Sequence, residues 1–131
     1  MEGKLLHEEL TYKIRGLLFN IHNELGRFRN EQQYCDALEN VLKENNIVYQ
    51  REFILPPSFD GEKKGRNKVD FLIEGKIIIE AKCVSFLNKD NYFQCQRYLN
   101  SLNLDLALLV NFRSKNLLIR RILNSSRLQN P

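Results

Sequence analysis

Cysteine is scarce in this chain of 131 residues, and its pattern argues against two classes of small protein. The cysteines, Cys35, Cys83 and Cys95, are odd in number and widely spaced, and no CxxC pair occurs. A disulfide framework uses an even number of cysteines, and a zinc knuckle needs a closely spaced pair such as CxxC. We therefore expect three reduced thiols in a reducing compartment. A chain of this length can bury one core without disulfides or a structural metal.

Long hydrophobic runs are also missing. No stretch approaches the roughly 18 apolar residues that span a bilayer, and residues 1–10 are polar, without the apolar segment of a signal peptide. We expect a cytoplasmic protein with no membrane partner. The length is typical of one domain, so we predict a single domain over residues 1–131, with a flexible polar tail at 124–131.

Acidic residues are absent from the end of the chain. Every charged residue from Arg113 onwards is basic: Arg113, Lys115, Arg120, Arg121 and Arg127. A second basic cluster is Lys63, Lys64, Arg66 and Lys68. With a net charge of +4 and a pI of about 9.0, these clusters are either solvated faces or contacts to a polyanion.

Hydrophobic periodicity predicts helices at residues 8–25, 31–45 and 89–102. The apolar stripe of the first helix consists of Ile14, Leu17, Leu18, Ile21 and Leu25. Gly26 follows it in the position of a C-terminal cap.

Five strands are predicted at residues 47–55, 68–73, 77–82, 105–112 and 117–123. The link Glu74-Gly75-Lys76 is short and contains glycine, which predicts a hairpin. Residues 105–112 are almost continuously apolar, as in a strand buried on both faces, and residues 117–123 suit an edge strand. The order ααβββαββ predicts an α/β sandwich with helices flanking one mixed sheet.

Charged side chains interrupt the apolar hairpin at three positions. Because strand residues alternate between faces, Asp70 shares a face with Leu72, opposite to the face of Val69, Phe71 and Ile73. On the next strand, Glu80 and Lys82 share one face. If three residues form the turn, Ile73 faces Ile77 and Asp70 faces Glu80, with Cβ atoms about 4.5–5.5 Å apart. A two-residue turn would shift this register by one.

Two carboxylates opposite each other on a sheet repel, and a divalent cation between them would reverse the interaction. Mg²⁺ favours one or two carboxylates together with water and phosphate oxygens. Lys82 would then orient or help deprotonate a water, or stabilise charge on a phosphate. This predicts metal-assisted hydrolysis of a phosphodiester. The alternative is an exposed, solvated ion pair without a function.

The hairpin VDFLIEGKIIIEAK resembles the catalytic core of the PD-(D/E)xK nuclease superfamily. Residues 10–26, 30–52 and 106–112 are similar to one branch of it, the small bacterial GxxExxY proteins. The resemblance covers roughly residues 8–125. It implies a restriction-endonuclease-like fold, Mg²⁺ or Mn²⁺ as cofactor, Asp70 and Glu80 as metal ligands and Lys82 as the catalytic lysine.

The resemblance also assigns roles outside the hairpin. Glu31 and Tyr34 match the glutamate and tyrosine of GxxExxY, while Phe28 stands in place of its glycine. An early-helix glutamate often completes the metal site in this superfamily, so Glu31 is the first candidate for a third ligand and Glu24 the second. Without that role, Glu31 is an ordinary first-turn acid and Tyr34 a core residue.

Gln94 and Tyr98 match a Q-x-x-x-Y pattern found in several branches of the superfamily. They lie on one helical face, which either reaches the site or is an ordinary helix surface. His22 has no second His or Cys at metal-binding spacing, so we interpret it as structural.

The leading hypothesis is a nuclease that acts on DNA ahead of RNA. Its phosphate contacts would come from the two basic segments: Lys63, Lys64, Arg66, Lys68, Arg113 and Lys115. The second hypothesis is an inactive module of the same fold that binds nucleic acid or a protein partner. The third is a structural protein without nuclease activity, in which the ionic cluster is incidental. The small surface of one domain makes a homodimer plausible.

Overall fold

A computed structural model describes residues 7–128. The elements are α1 Glu8–Leu25, α2 Glu31–Glu44, β1 Tyr49–Ile54, β2 Lys68–Ile73, β3 Ile77–Lys82, α3 Lys89–Leu102, β4 Leu106–Asn111, β5 Leu118–Leu123 and α4 Ser125–Leu128. The predicted order ααβββαββ is confirmed, and a four-residue helix follows it.

Short polar motifs explain where the helices begin and end. Asn30 before α2 and Asn88 before α3 each form a capping box, in which the side chain accepts from the N3 backbone N–H and the N3 side chain accepts from the cap's N–H. Gly26 ends α1 with a φ of +79°, and its N–H donates to the His22 carbonyl. Glycine adopts that backbone without strain.

The strands form one mixed sheet in the order β1-β2-β3-β4-β5. Only β3 and β4 are parallel, and the other neighbours are antiparallel. Helix α3 makes the crossover that parallel neighbours require. All six residues of β4 are buried, and β5 lies at the edge, so both predictions for these strands are confirmed.

Helices cover both faces of the sheet. One core contains residues of α1, α2 and one sheet face, among them Ile14, Leu18, Leu38, Phe71, Ile79 and Leu108. The other contains α3 and the opposite face, among them Leu72, Ile78, Cys95, Leu99 and Leu109. The predicted sandwich is therefore confirmed.

Strand directions bring several loops to one end of the sheet. Strands β3 and β4 both end there, at Lys82 and Asn111, which pair with each other. Because β2 and β5 run antiparallel to them, those strands begin at the same end. The loops at 55–67, 83–88 and 112–117 consequently surround this end, which we call the site end.

The alternation of side chains changes face at the start of β2. Phe71 packs on the α1–α2 side, whereas Val69 packs on the α3 side, so the prediction that they share a face was wrong. Opposite this point on β1, Glu52 has a φ of +52°, and the regular pairing with Asp70 is interrupted. A residue in the left-handed region breaks the two-residue alternation of a strand.

The C-terminal segment is more ordered than predicted at its start. Asn124, the first residue of the predicted tail, is fully buried. Its side-chain amide donates to the Leu104 carbonyl and its backbone N–H donates to the Asp105 carbonyl, both at 2.9 Å. These bonds tie residue 124 to the start of β4, and α4 follows directly. Residues 129–131 of the predicted tail lie outside the described residues.

The three cysteines are free thiols, as predicted. Burial raises the pKa of Cys35 and of Cys95 to about 12, so both are protonated at neutral pH. None of the helices within residues 7–128 is long and apolar enough to cross a membrane.

A candidate active site at one end of the sheet

The β2–β3 hairpin has the register on which the predicted site depends. Ile73 pairs with Ile77, so three residues form the turn. Glu74 and Gly75 have φ values of +54° and +65°, and the Lys76 N–H donates to the Ile73 carbonyl at 2.9 Å. The hairpin is therefore closed with Asp70 in line with Glu80.

Side chains join the two strands where the backbone pairing stops. The Asp70 N–H donates to Glu80 Oε2 at 2.9 Å, and the Ala81 N–H donates to Asp70 Oδ2 at 2.7 Å. These bonds orient both carboxylates and occupy one oxygen of each. Within the described residues, Asp70 Oδ1 and Glu80 Oε1 accept no hydrogen bond, so each carboxylate keeps one oxygen for a ligand.

Burial makes both carboxyl groups harder to ionise. Glu80 is only 4% exposed, and burial, followed by the nearby Asp70 charge, raises its pKa to about 8. Burial also raises the pKa of Asp70, against the opposing effects of the Ala81 N–H and Lys82. Two adjacent carboxyls, one buried and one half-buried, with raised pKa values are typical of a functional site.

Lys82 lies beside Glu80 and reaches across to α3. Its Nζ is 4.0 Å from Glu80 Oε1 and 3.2 Å from Gln94 Oε1. The structure thus brings Gln94 into direct contact with the predicted catalytic lysine. Tyr98, one turn later on α3, is buried in the α3-side core. Burial and then the Glu80 charge raise its pKa, so Tyr98 lies near the carboxylates.

Of the two candidates for a third acidic ligand, Glu31 lies nearer the site. It is the first residue of α2, and its charge raises the pKa of Glu80. Among residues 7–128, Glu24 is not one of the main causes of the pKa shift of either carboxyl group. Glu31 does not, however, complete a ligand set, since no group of three His, Cys, Asp or Glu side chains in the described part of the chain has metal-binding geometry.

Tyr34 is buried and holds the loop that precedes α2. Its hydroxyl donates to the Gly26 carbonyl and accepts from the Arg29 N–H. Its ring stacks on Phe112 with centroids 4.2 Å apart. His22, also buried, contacts the Ser114 carbonyl through Nε2 at 3.0 Å. Tyr34 therefore connects the α1–α2 loop, and His22 the last turn of α1, to the loop after β4.

The predicted nucleic-acid contacts all lie at or near the site end. Four are in or directly after the β1–β2 loop and two are in the β4–β5 loop: Lys63, Lys64, Arg66, Lys68, Arg113 and Lys115. Lys68 is the one of these six that forms an ion pair in the described structure, with Glu52 at 3.6 Å. Arg127 lies elsewhere, paired with Asp105 at the opposite end of β4.

Two residues near the site were missed by the sequence analysis. Glu52 is one: it interrupts the pairing opposite Asp70, and its charge raises the pKa of Asp70. No sequence signal identifies it, since glutamate does not favour a positive φ. Asn111 is the other, and a single amide in an otherwise apolar strand was a signal for it.

Asn111 fixes the segment that follows Lys82. Its Oδ1 accepts from the Val84 N–H at 3.1 Å, and its Nδ2 donates to the Val84 carbonyl at 2.8 Å. Asn111 itself is fully buried. Because a buried amide that bonds both backbone groups of one residue replaces a strand partner, Asn111 sets the path of the chain after Lys82.

Replacing Asn111 by alanine should leave both backbone groups of Val84 without partners. We expect the free energy of unfolding to fall by roughly 2–4 kcal/mol, measured by urea denaturation. The control is Asn116→Ala, an exposed asparagine of the following β4–β5 loop, which should change stability by less than about 0.5 kcal/mol. Equal stabilities of the two variants would contradict this role for Asn111.

The site chemistry fits a divalent metal. The free oxygens belong to two carboxylates at the ends of neighbouring strands, and Mg²⁺ is usually held by one or two carboxylates together with water and phosphate oxygens. A family model described as the PD-(D/E)XK nuclease superfamily matches residues 8–122. The chain belongs to the PD-(D/E)XK nuclease superfamily. No curated protein and no solved structure matches it.

In this member of the PD-(D/E)XK superfamily, the residues that resemble the motif are Asp70, Glu80 and Lys82. Membership indicates a nuclease and therefore a nucleic-acid substrate. The narrower assignment to GxxExxY proteins stays a prediction.

Proposed function

We propose that this protein is a metal-dependent nuclease that hydrolyses phosphodiester bonds, with DNA as its substrate ahead of RNA. The observation that carries the proposal is the arrangement of Asp70, Glu80 and Lys82. Two oriented carboxylates with free oxygens meet at the end of a hairpin, and a lysine lies 4.0 Å from one of them. In a domain of this superfamily, this combination suits attack of water on a phosphate.

Asp70 Oδ1 and Glu80 Oε1 would hold the metal, Mg²⁺ or Mn²⁺. When bound, such an ion lowers the pKa of a coordinated water and neutralises charge on the phosphate. Asp70 and Glu80 are prepared for this role by their bonds to the backbone N–H groups of Ala81 and Asp70. Those bonds fix the carboxylate planes before any ligand arrives, which reduces the reorganisation needed for binding.

Lys82 would act on the substrate directly. An ammonium group has three donors, and in this structure Nζ faces Glu80 Oε1 and Gln94 Oε1, which leaves one N–H for a phosphate oxygen or the attacking water. Gln94 would orient the lysine, and Tyr98 would lie behind it. A positive charge at this place stabilises the charge that develops on the phosphate.

The alternative function is an inactive module that binds nucleic acid or a protein partner. Retention of both Glu80 and Lys82 favours the enzyme, because loss of turnover would leave no reason to keep two charged side chains on a buried strand.

The test is a cleavage panel with single-stranded, duplex and branched DNA and with RNA, each with Mg²⁺, Mn²⁺ or EDTA. We expect cleavage with either metal and none with EDTA. A thermal shift that rises with metal concentration should accompany it, since a ligand of the native state stabilises the protein. Binding of nucleic acid without cleavage under any metal would favour the inactive module.

The role of Glu31 is testable against Glu24. Glu31→Gln removes a charge near Glu80 and is expected to weaken metal affinity, measured by titration calorimetry, by about tenfold, as outer metal-site partners do. Glu24→Gln removes the same charge from an exposed position and should bind metal like the wild type. If the two variants behave alike, Glu31 is an ordinary helix residue. The homodimer and the cytoplasmic location stay predictions.

A further inference from the structure

Two arginines from distant parts of the chain hold each other at the site end. Arg27 Nε donates to the Arg113 carbonyl, and Arg113 Nε donates to the Arg27 carbonyl, both at 2.9 Å. The two loops involved are 86 residues apart in sequence. This reciprocal pair fixes both guanidinium groups through Nε and leaves their terminal nitrogens for other partners.

The surrounding core determines where the two arginines lie. Tyr34 bonds the Gly26 carbonyl directly before Arg27, and its ring stacks on Phe112 directly before Arg113. One buried side chain thus positions both loops, and the bond between His22 and Ser114 adds a second link. The arginine pair is therefore a built feature of the fold.

Within residues 7–128, the pair carries two positive charges without a carboxylate partner. Ion pairs of the described structure involve other cations, namely Arg51, Lys68, Lys82 and Arg127. Two positive charges on adjoining loops repel each other when no anion is present, so the arrangement suits a bound anion. Guanidinium groups match phosphate oxygens in geometry as well as in charge.

An exposed aromatic ring lies next to both guanidinium groups. Phe28 is 76% exposed, and its centroid is 4.8 Å from Arg27 Cζ and 5.8 Å from Arg113 Cζ. A phenyl ring in water that is flanked by cations can accept the face of an unpaired base. Aromatic rings next to basic groups are how proteins bind single strands.

This group lies beside the proposed active site. The N–H of Phe112, the neighbour of Arg113, donates to the carbonyl of Lys82 at 2.9 Å. Arg113 therefore lies at the same end of the sheet as Lys82, where one bound strand could contact both.

We propose that Arg27, Phe28 and Arg113 form a binding site for single-stranded nucleic acid, in which the two guanidinium groups bind a backbone phosphate and Phe28 stacks on an unpaired base. We call this site the arginine clamp. Its place on the substrate path rests on the proposed nuclease function, but its affinity for a strand does not. The clamp makes single-stranded or locally unpaired nucleic acid the preferred substrate class.

The test measures binding of fluorescent oligonucleotides by anisotropy, with wild-type protein in EDTA so that no cleavage occurs. Single-stranded DNA, single-stranded RNA and duplex DNA of one sequence are compared over a range of salt concentrations. We expect both single strands to bind more tightly than the duplex, because only an unpaired base can reach Phe28.

Arg27→Gln and Arg113→Gln keep an N–H donor for the partner carbonyl but remove the charge. Each is expected to weaken single-strand binding by about tenfold and to reduce the slope of log K against log salt by about 0.7 for each phosphate that the variant no longer neutralises. Because the two arginines hold each other, the double variant should lose less than the product of the single effects.

Phe28→Ala should weaken single-strand binding by about tenfold with an unchanged salt slope, and should alter duplex binding less than twofold. The matched control is Arg15→Gln. Arg15 also flanks an exposed ring, that of Phe19, at 5.9 Å, but it lies about 16 Å further along α1 from Gly26. This control should bind nearly as the wild type.

The clamp is refuted if the Arg27 and Arg113 variants match the Arg15 control, or if Phe28→Ala weakens duplex and single-strand binding equally. A wild-type protein that never cleaves while the clamp variants lose binding would refute the nuclease and leave the clamp intact. Normal cleavage by the wild type, together with unchanged binding in the clamp variants, would refute the clamp and leave the nuclease intact. Circular dichroism and thermal melting confirm that each variant is folded.

Discussion

Replacement of Lys82 by alanine is expected to lower metal-dependent cleavage by about 10²- to 10⁴-fold, the usual contribution of a positioned acid–base or charge-stabilising group. The reason is the position of Nζ, which lies between Glu80 Oε1 and Gln94 Oε1 at the end of the hairpin. Initial rates on the best substrate of the cleavage panel give the effect.

The matched control is Lys76→Ala. Lys76 lies in the turn at the other end of the same hairpin and is exposed, so the variant loses an equal charge far from the site. Its cleavage rate should be within about twofold of the wild type, as expected for a surface substitution away from the chemistry. If both lysine variants cleave at the wild-type rate, Lys82 has no catalytic role.

Asp70→Ala should abolish cleavage as well, by a different route. It removes a proposed metal-binding oxygen and also the acceptor of the Ala81 N–H. We therefore expect Asp70→Ala to lose both activity and the metal-dependent thermal shift, whereas Lys82→Ala loses activity and keeps the shift. A full thermal shift in the Asp70 variant would rule it out as a ligand.

The stability of the metal-free protein should fall as the pH is raised, with Glu80 as the main cause. The pKa of Glu80 is raised from 4.5 to about 8 in the folded protein, so the fold favours the protonated form. The stabilisation of the fold by protonated Glu80 is complete below about pH 4.5 and decreases as pH rises towards 8. It amounts to about 5 kcal/mol between these limits, at about 1.4 kcal/mol for each pH unit.

The measurement is the free energy of unfolding in urea with EDTA at pH 5, 6.5 and 8. Glu80→Gln is the control, since the amide keeps an oxygen to accept from the Asp70 N–H and cannot ionise. The wild type should lose stability relative to this variant as pH rises. Mg²⁺ should restore the wild type at pH 8, because metal binding needs the ionised carboxylate. A pH-independent difference would contradict the raised pKa of Glu80.

Features that depend on residues close together in the chain could be predicted from the sequence. Periodicity and caps predicted the helices and strands to within two residues, and the three-residue turn placed Asp70 opposite Glu80, as the pairing of Ile73 with Ile77 confirms. The E-x-K spacing then placed Lys82 on the face of Glu80. Each of these depends on φ and ψ preferences and on the two-residue repeat of a strand, which act over a few residues.

Contacts between distant segments were decided by the tertiary structure. The change of face at Val69 occurs where the pairing of β1 with β2 is interrupted at Glu52, and the buried bonds of Asn111 to Val84 connect the ends of two parallel strands. The pairing of Arg27 with Arg113 arises because Tyr34 and Phe112 stack in the core between their loops. The sequence by itself determined which residues carry the candidate chemistry; only packing decided what orients them, since packing depends on which surfaces meet after the chain has folded.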